Sequence, residues 1–180
     1  VREQYRRRFR HVMVDEYLTG DAERISPEAP VPVVRIEGEK RLVGGAGNVA
    51  RNITALGGRA MLVGVRGNDD AGRVMEACLD RDTIIHSLLK LDQRPTTVKT
   101  RILARQQQVL RFDKEDTSPF SKEQDAALLE LAESYLMECD ALILSDYGKG
   151  MVSGPLMIGL RALLKKTGRP IPVLVDPKPQ

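Results

Sequence analysis

The sequence predicts an α/β fold: a mostly parallel sheet flanked by helices, with a small β-sheet excursion beside it. Three observations carry this. Short apolar runs alternate with segments of helical periodicity, the pattern of parallel strands joined by helical crossovers. A glycine-rich turn, Leu42-Val43-Gly44-Gly45-Ala46-Gly47-Asn48, feeds directly into a helix. Two segments, 24–37 and 95–112, break the alternation with prolines or a half-polar strand pair.

Each element has its own signal. Residues 45–57 read as a helix with Val49, Ile53 and Leu56 on one face and Gly57-Gly58 as its stop. A strand follows at 59–65, then a helix at 70–80 with Val74, Cys78 and Met75 inward, and a strand at 83–91. The helix 121–138 opens on a Ser121 N-cap with Gln124 at the capping-box position. The strand 141–144, the helix 155–166 ending at Gly168, and the strand 171–175 complete the series. Segment 24–37 carries three prolines ahead of a β-branched run, which places it at an edge or outside the main sheet because proline cannot donate to a ladder. In segment 95–112, Thr96, Val98, Thr100 and Ile102 share one face and Thr97, Lys99, Arg101 and Leu103 the other, before a polar turn at 105–108. A lid or dimer clasp is the functional reading of such excursions.

Composition narrows the classes of function. A chain of 180 residues suits one domain with a real core. At 42% hydrophobic with no tryptophan and 4% aromatics, that core is aliphatic. No apolar run is long enough for a transmembrane helix, and no apolar stretch follows the arginine-rich start. The expectation is a cytoplasmic protein with no membrane partner. Cys78 and Cys139 match no metal spacing and read as small buried hydrophobes. Arg2, Arg6, Arg7, Arg8 and Arg10 against Glu3 give the first ten residues a charge of +4, while the rest sums to −1. Without aromatic interleaving or a basic helix face, this reads as a solvated terminus, and no nucleic-acid partner is expected.

Residues 44–50 carry the chemistry. A glycine turn at a helix N-terminus presents bare N–H groups and a positive dipole end to an oxygen-rich ligand. Asn48 adds an amide that donates and accepts, as paired sugar hydroxyls require. By themselves these residues leave open a nucleotide or a polyol. Gly45-x-Gly47-x-x-Ala50, with Asp69 and Asp70 downstream, also spells the dinucleotide fingerprint. That reading needs a core strand before the first glycine, and the short 40–43 stretch does not supply one.

More of the chain bears on the choice: 12–18 (Val-Met-Val-Asp-Glu-Tyr-Leu), the proline-rich 24–34, Gly-Gly-Ala-Gly-Asn-Val-Ala at 44–50, 94–108 with its Ala-Arg-Gln-Gln-Gln end, Leu-Ser-Asp-Tyr-Gly-Lys-Gly at 144–150, and Val-Asp-Pro-Lys at 175–178. With these blocks in this order the sequence resembles the ribokinase-like sugar kinases, and within them the heptose 7-phosphate kinase branch found in ADP-heptose synthases. The resemblance runs over nearly all of 12–178. It implies an ATP- and Mg²⁺-dependent kinase of a heptose 7-phosphate, feeding lipopolysaccharide core precursors. It further implies a lid at about 17–43 and 94–113 that pairs two subunits as a β-clasp homodimer. Asp15 would accept hydroxyl hydrogens, with Gly44, Gly45 and Asn48 holding the sugar. Arg105 and Gln107 on the lid turn would reach the sugar or its phosphate. Lys149 and Lys178, after apolar strands, would supply cations for a phosphorylated substrate.

Two departures qualify the expectation. Where the family opens on an apolar strand, this chain has Arg6-Arg7-Arg8-Phe9-Arg10-His11, and the strand is expected to be missing. No Gly-Ala-Gly-Asp occurs before Gln180, so the family's base and ATP site are expected beyond residue 180. The chain then reads as the sugar-binding part of a kinase, inactive as given, with no catalytic base and no metal site of its own. The alternatives are an NAD(P)-binding module built on Gly45, Gly47 and Ala50, or a clasp dimer without catalysis.

Overall fold

The structure is a computed structural model that describes residues 5–10, 12–146 and 153–177, with 5–10, 146, 176 and 177 described by backbone alone. Its centre is a five-stranded sheet in the order β5-β4-β1-β8-β9. The strands are β1 (Tyr5–Arg10), β4 (Arg59–Gly67), β5 (Ile85–Leu91), β8 (Ala141–Asp146) and β9 (Val173–Pro177). Every pairing in it is parallel. The helices α1 (Ala46–Ala55), α2 (Asp70–Arg81), α3 (Lys122–Leu136) and α4 (Gly154–Lys166) supply the crossovers and cover. This is the doubly covered parallel sheet that the alternation predicts.

Burial follows strand alternation. Ala60 and Leu62 of β4 enter one core cluster with Ala50 and Ile53 of α1 and Met75 and Leu79 of α2. Val63 and Val65 enter the other, with Leu128 and Leu136 of α3, Leu142 and Leu144 of β8, and Leu156 and Leu160 of α4. A period of two sends successive side chains to opposite faces, so a sheet covered on both sides reads as a continuous apolar run.

The first strand corrects the sequence reading. The segment expected to lack a strand is β1, and it lies at the middle of the sheet. Arg6 pairs with Ala60 on one side and with Ala141 on the other. Strand pairing is a property of backbone amides and carbonyls. The apolar strands β4 and β8 each present a row of them, whereas an apolarity criterion sees only side chains.

Smaller differences have local causes. On α1 the buried face is Ala46, Gly47, Ala50 and Ile53, while Leu56, expected inward, is the exposed C-cap. Small residues let this helix sit close to β3: a Cβ on Gly47 would lie 2.5 Å from the Val43 Cβ. The capping box at Ser121 and Gln124 is present. On α2, Met75 and Cys78 are buried as expected, together with Leu79, and Val74 packs at the edge.

The excursion is a second, four-stranded sheet in the order β3-β2-β6-β7. It contains β2 (Val12–Ile25), β3 (Pro32–Gly45), β6 (Val98–Ala104) and β7 (Gln107–Lys114). The prolines of 24–37 fall in the turn between β2 and β3 and at the first residue of β3, the outermost strand. The edge position is as predicted, but the segment is a hairpin rather than one strand. β2 runs antiparallel to β3 and parallel to β6, and β6 antiparallel to β7. Arg105 and Gln106 both take positive φ, 48° and 68°, as a two-residue hairpin turn that follows strand twist requires.

Candidate functional site

The β2–β3 hairpin brings Asp15 to the glycine turn. Met13 faces Gly44 and Asp15 faces Leu42 across the ladder, so the Asp15 side chain lies diagonally over Gly44. The fit leaves no room for a side chain: a Cβ on Gly44 would lie 2.2 Å from Asp15 Oδ2. Gly45 then turns the chain from β3 into α1 at φ 55°, with no side-chain cap on the helix. The first N–H groups of α1 therefore stand at a mouth shared with the carboxylate, where a helix N-terminus favours electron-rich atoms. Asn48 is exposed on the first turn, its Oδ1 accepting from Arg51 Nη2 at 3.1 Å. Asp15, Gly44, Gly45 and Asn48 thus lie along one strand-turn-helix corner.

The same face holds side chains that the sequence reading did not single out. Arg101 Nη1 donates to Asp15 Oδ1 at 2.7 Å, and its guanidinium sits 5.2 Å from the centre of the Tyr17 ring. The hydrogen bond it donates to Asp15 pushes the Arg101 guanidinium above its ordinary range, so it stays charged. Lys99 Nζ pairs with Asp113 at 2.5 Å and reaches Glu115 at 3.9 Å, and Arg111 pairs with Asp113 at 3.1 Å. The signal was present in the alternation of β6, which puts Lys99 and Arg101 on one face. What the sequence lacked was the knowledge that β6 pairs with β2 beside Asp15.

Arg105 and Gln107 lie elsewhere in the chain. Gly20 pairs with Ala104 and Asp15 with Lys99, so the turn is five residues along the strand, about 17 Å from Asp15. Arg105 Nε donates to Asp21 Oδ1 at 2.7 Å on the exposed tip. Lys149 and Lys178 lie outside the described residues. The strands leading to them, β8 and β9, run in register with Ser145 opposite Asp176.

The dinucleotide fingerprint lacks its context. The strand before Gly45 is β3 of the four-stranded sheet, not a member of the parallel one. Asp69 is the N-cap of α2, accepting from Gly72 N at 2.9 Å and from Thr96 Oγ1 at 2.6 Å. Burial pushes its carboxyl up, but the hydrogen bonds from Thr96 and Gly72 outweigh that and hold it below the ordinary carboxylate range. A carboxylate spent on a cap and on the entry to β6 does not serve a ribose. A cavity of about 390 Å³ does adjoin it, lined by Val14, Glu16, Thr100, Phe112 and Lys114 on the opposite face of the four-stranded sheet from Asp15.

The pattern of the pfkB family carbohydrate kinases matches residues 10–180. The chain belongs to that family. It is 47% identical over 168 residues to "Bifunctional protein HldE" of Caulobacter sp. strain K31, covering 93% of this chain and 33% of that protein. The protein of the same name from Granulibacter bethesdensis is 46% identical over 168 residues, with 93% and 34% covered. Among solved structures, phosphofructokinase-2 from Escherichia coli in complex with fructose-6-phosphate superposes with a TM-score of 0.68 at 20% identity, over 100% of this chain and 56% of that one. A possible 1-phosphofructokinase from Thermotoga maritima gives 0.75 at 15% identity, over 98% and 54%. These two likenesses establish the ribokinase-like fold. This pfkB-family chain spans about a third of the length of its curated relatives.

Proposed function

We propose that this pfkB-family chain is the acceptor-binding part of an ATP-dependent kinase that phosphorylates D-glycero-β-D-manno-heptose 7-phosphate, on the route to ADP-heptose and lipopolysaccharide core precursors. The observation that carries the reading is the Asp15 carboxylate seated on Gly44 at the mouth of the glycine turn, in a chain 47% identical to an HldE protein. Asp15 accepts hydroxyl hydrogens, the amides after Gly45 donate to sugar oxygens, and Asn48 does both. These contacts fix the acceptor before reaction and so supply orientation. ATP is the phosphoryl donor, and Mg²⁺ would neutralise charge on the transferring group. Among the described residues no group of three or more His, Cys, Asp or Glu side chains could hold a metal ion. The described residues of this chain act on the acceptor side of that transfer.

The four-stranded sheet is the lid in this reading, its segments at about 17–43 and 94–113, and it pairs two subunits as a β-clasp. Support comes from its outer face, where Ile36, Leu110 and Phe112 are 44%, 52% and 50% exposed. Arg105 and Gln107, distant from their own Asp15, would act at the partner's site. Lys149 and Lys178 would act from the loops after β8 and β9. No described helix is long and apolar enough to cross a membrane, and we place the enzyme in the cytoplasm with its nucleotide and sugar phosphate.

The test is coupled ADP release by the full-length protein with heptose 7-phosphate and ATP. Turnover is expected, with Asp15→Asn lowering kcat/KM by roughly 100-fold, the scale of about 3 kcal/mol. No turnover with heptose 7-phosphate, combined with tight NAD(P) binding, would overturn the reading.

A further inference from the structure

The register of the lid sheet sorts its inner face into cross-strand rows of different charge. The row nearest the glycine turn runs Leu42, Asp15, Lys99, Asp113 across β3, β2, β6 and β7. The next row runs Lys40, Tyr17, Arg101, Arg111. The first carries two carboxylates and one cation, and the second three cations and no acid. Rows on one face are two residues apart, about 7 Å along the strand, a separation on the scale of a sugar ring.

We infer that Lys40, Arg101 and Arg111 form the subsite for the phosphate that the sugar acceptor already carries. This rests on the sugar-kinase reading above and adds cations of the lid strands to the Arg105, Lys149 and Lys178 that reading already offers. A sugar whose hydroxyls meet Asp15 and the turn after Gly44 directs an exocyclic phosphate outward, over the second row. There a planar guanidinium can make paired charge-assisted hydrogen bonds to phosphate oxygens.

The existing ion pairs fit this use. The carboxylates paired with the second row belong to the first: Asp15 holds Arg101 at 2.7 Å, and Asp113 holds Arg111 at 3.1 Å while also holding Lys99 at 2.5 Å. When sugar hydroxyls donate to Asp15, Arg101 exchanges the carboxylate for phosphate oxygens, and the hydroxyls take its place on Asp15. Lys99 stays with Asp113, so that carboxylate keeps a cation when Arg111 turns to the phosphate. Tyr17, beneath Arg101, holds the guanidinium plane as it turns. Arg105 is the competing cation on the lid, but about 17 Å of strand separates it from Asp15, and it is tied to Asp21.

The experiment is calorimetric titration of the full-length protein with D-glycero-β-D-manno-heptose 7-phosphate and, separately, with the unphosphorylated heptose. Arg111→Gln is the first variant, because Arg111 does not touch Asp15; Arg101→Gln and Lys40→Gln follow. Arg111→Gln and Arg101→Gln are expected to weaken the phosphorylated sugar by roughly tenfold each. Arg111→Gln should leave the unphosphorylated sugar within about twofold, since it removes only a phosphate contact. Raising salt should weaken wild type more than Arg111→Gln for the phosphorylated sugar. If Arg111→Gln and Arg101→Gln keep the wild-type preference for the phosphorylated sugar, or lose both sugars equally, the subsite is elsewhere and the kinase reading stands. Wild-type protein that binds neither sugar removes the kinase reading and the subsite with it.

Discussion

The two sheets of this chain are built on opposite principles. The five-stranded sheet is parallel, apolar on both faces where its side chains are described, and closed between helices. The four-stranded sheet is mixed, with the Asp15 face lined with paired charges and the other face combining apolar side chains with the Glu16–Arg41 pair. Burial holds the first, and its core side chains have nowhere else to go. The second is held by its backbone ladder and by ion pairs in partial contact with water, each worth little to stability. That construction suits the exchange of partners we infer for this face. A hydrophobic contact cannot be handed to a phosphate, whereas a guanidinium can be.

Four substitutions would break or sharpen this contrast, in falling order of effect. Leu142→Ala, in a fully buried residue of β8, should cost roughly 3 kcal/mol or more in urea unfolding. A cost under about 1 kcal/mol would mean the parallel sheet is less tightly packed than its burial indicates. Gly44→Ala puts a methyl where Asp15 sits and should cost about 1–3 kcal/mol. It should also abolish the thermal shift given by heptose 7-phosphate, because the carboxylate is displaced from the turn. A retained shift would separate Asp15 from the site.

Thr96→Val comes next, at the joint between the two sheets. Thr96 Oγ1 donates to Asp69 at 2.6 Å and accepts from Gly67 N at 2.8 Å, so its removal should cost about 1–2 kcal/mol at neutral pH. The sign of the pH dependence follows from Asp69. Its folded carboxyl is held low, so its contribution is complete above the ordinary carboxylate value near about 4 and fades as pH falls through the lower folded value. The stability gap between wild type and Thr96→Val should therefore narrow on going from neutral pH to below about 3; a constant gap would take Asp69 out of the account. Arg105→Ala, at the exposed lid tip, should leave the melting temperature unchanged, since its pair with Asp21 is open to solvent.

Much of this was legible in the residues themselves. The capping box at Ser121 and Gln124, the inward Met75 and Cys78, the edge position of the proline segment and a hairpin turn within 105–108, which the structure narrows to Arg105 and Gln106, follow from local rules. The place of Gly44, Gly45 and Asn48 at a strand-to-helix turn was legible because glycines directly before a helical pattern mark such a turn. Arg101 was not, although it stood in plain view among the alternating residues of β6. Its meaning depends on which strand lies alongside, and pairing partners 86 positions apart leave no mark in local pattern. The arginine-rich β1 escaped for the related reason that its place is set by the backbone edges of β4 and β8.

The sequence by itself determined the α/β class, the order of helices and strands from β4 onward, and the glycine turn that opens α1. Local propensity and periodicity act over a few residues, and those features span only a few. Tertiary structure decided that Asp15 would lie on Gly44, that Arg101 would reach it, and that Arg105 would not. Those are matters of strand register, and register is fixed only when whole strands pair and choose which face to bury.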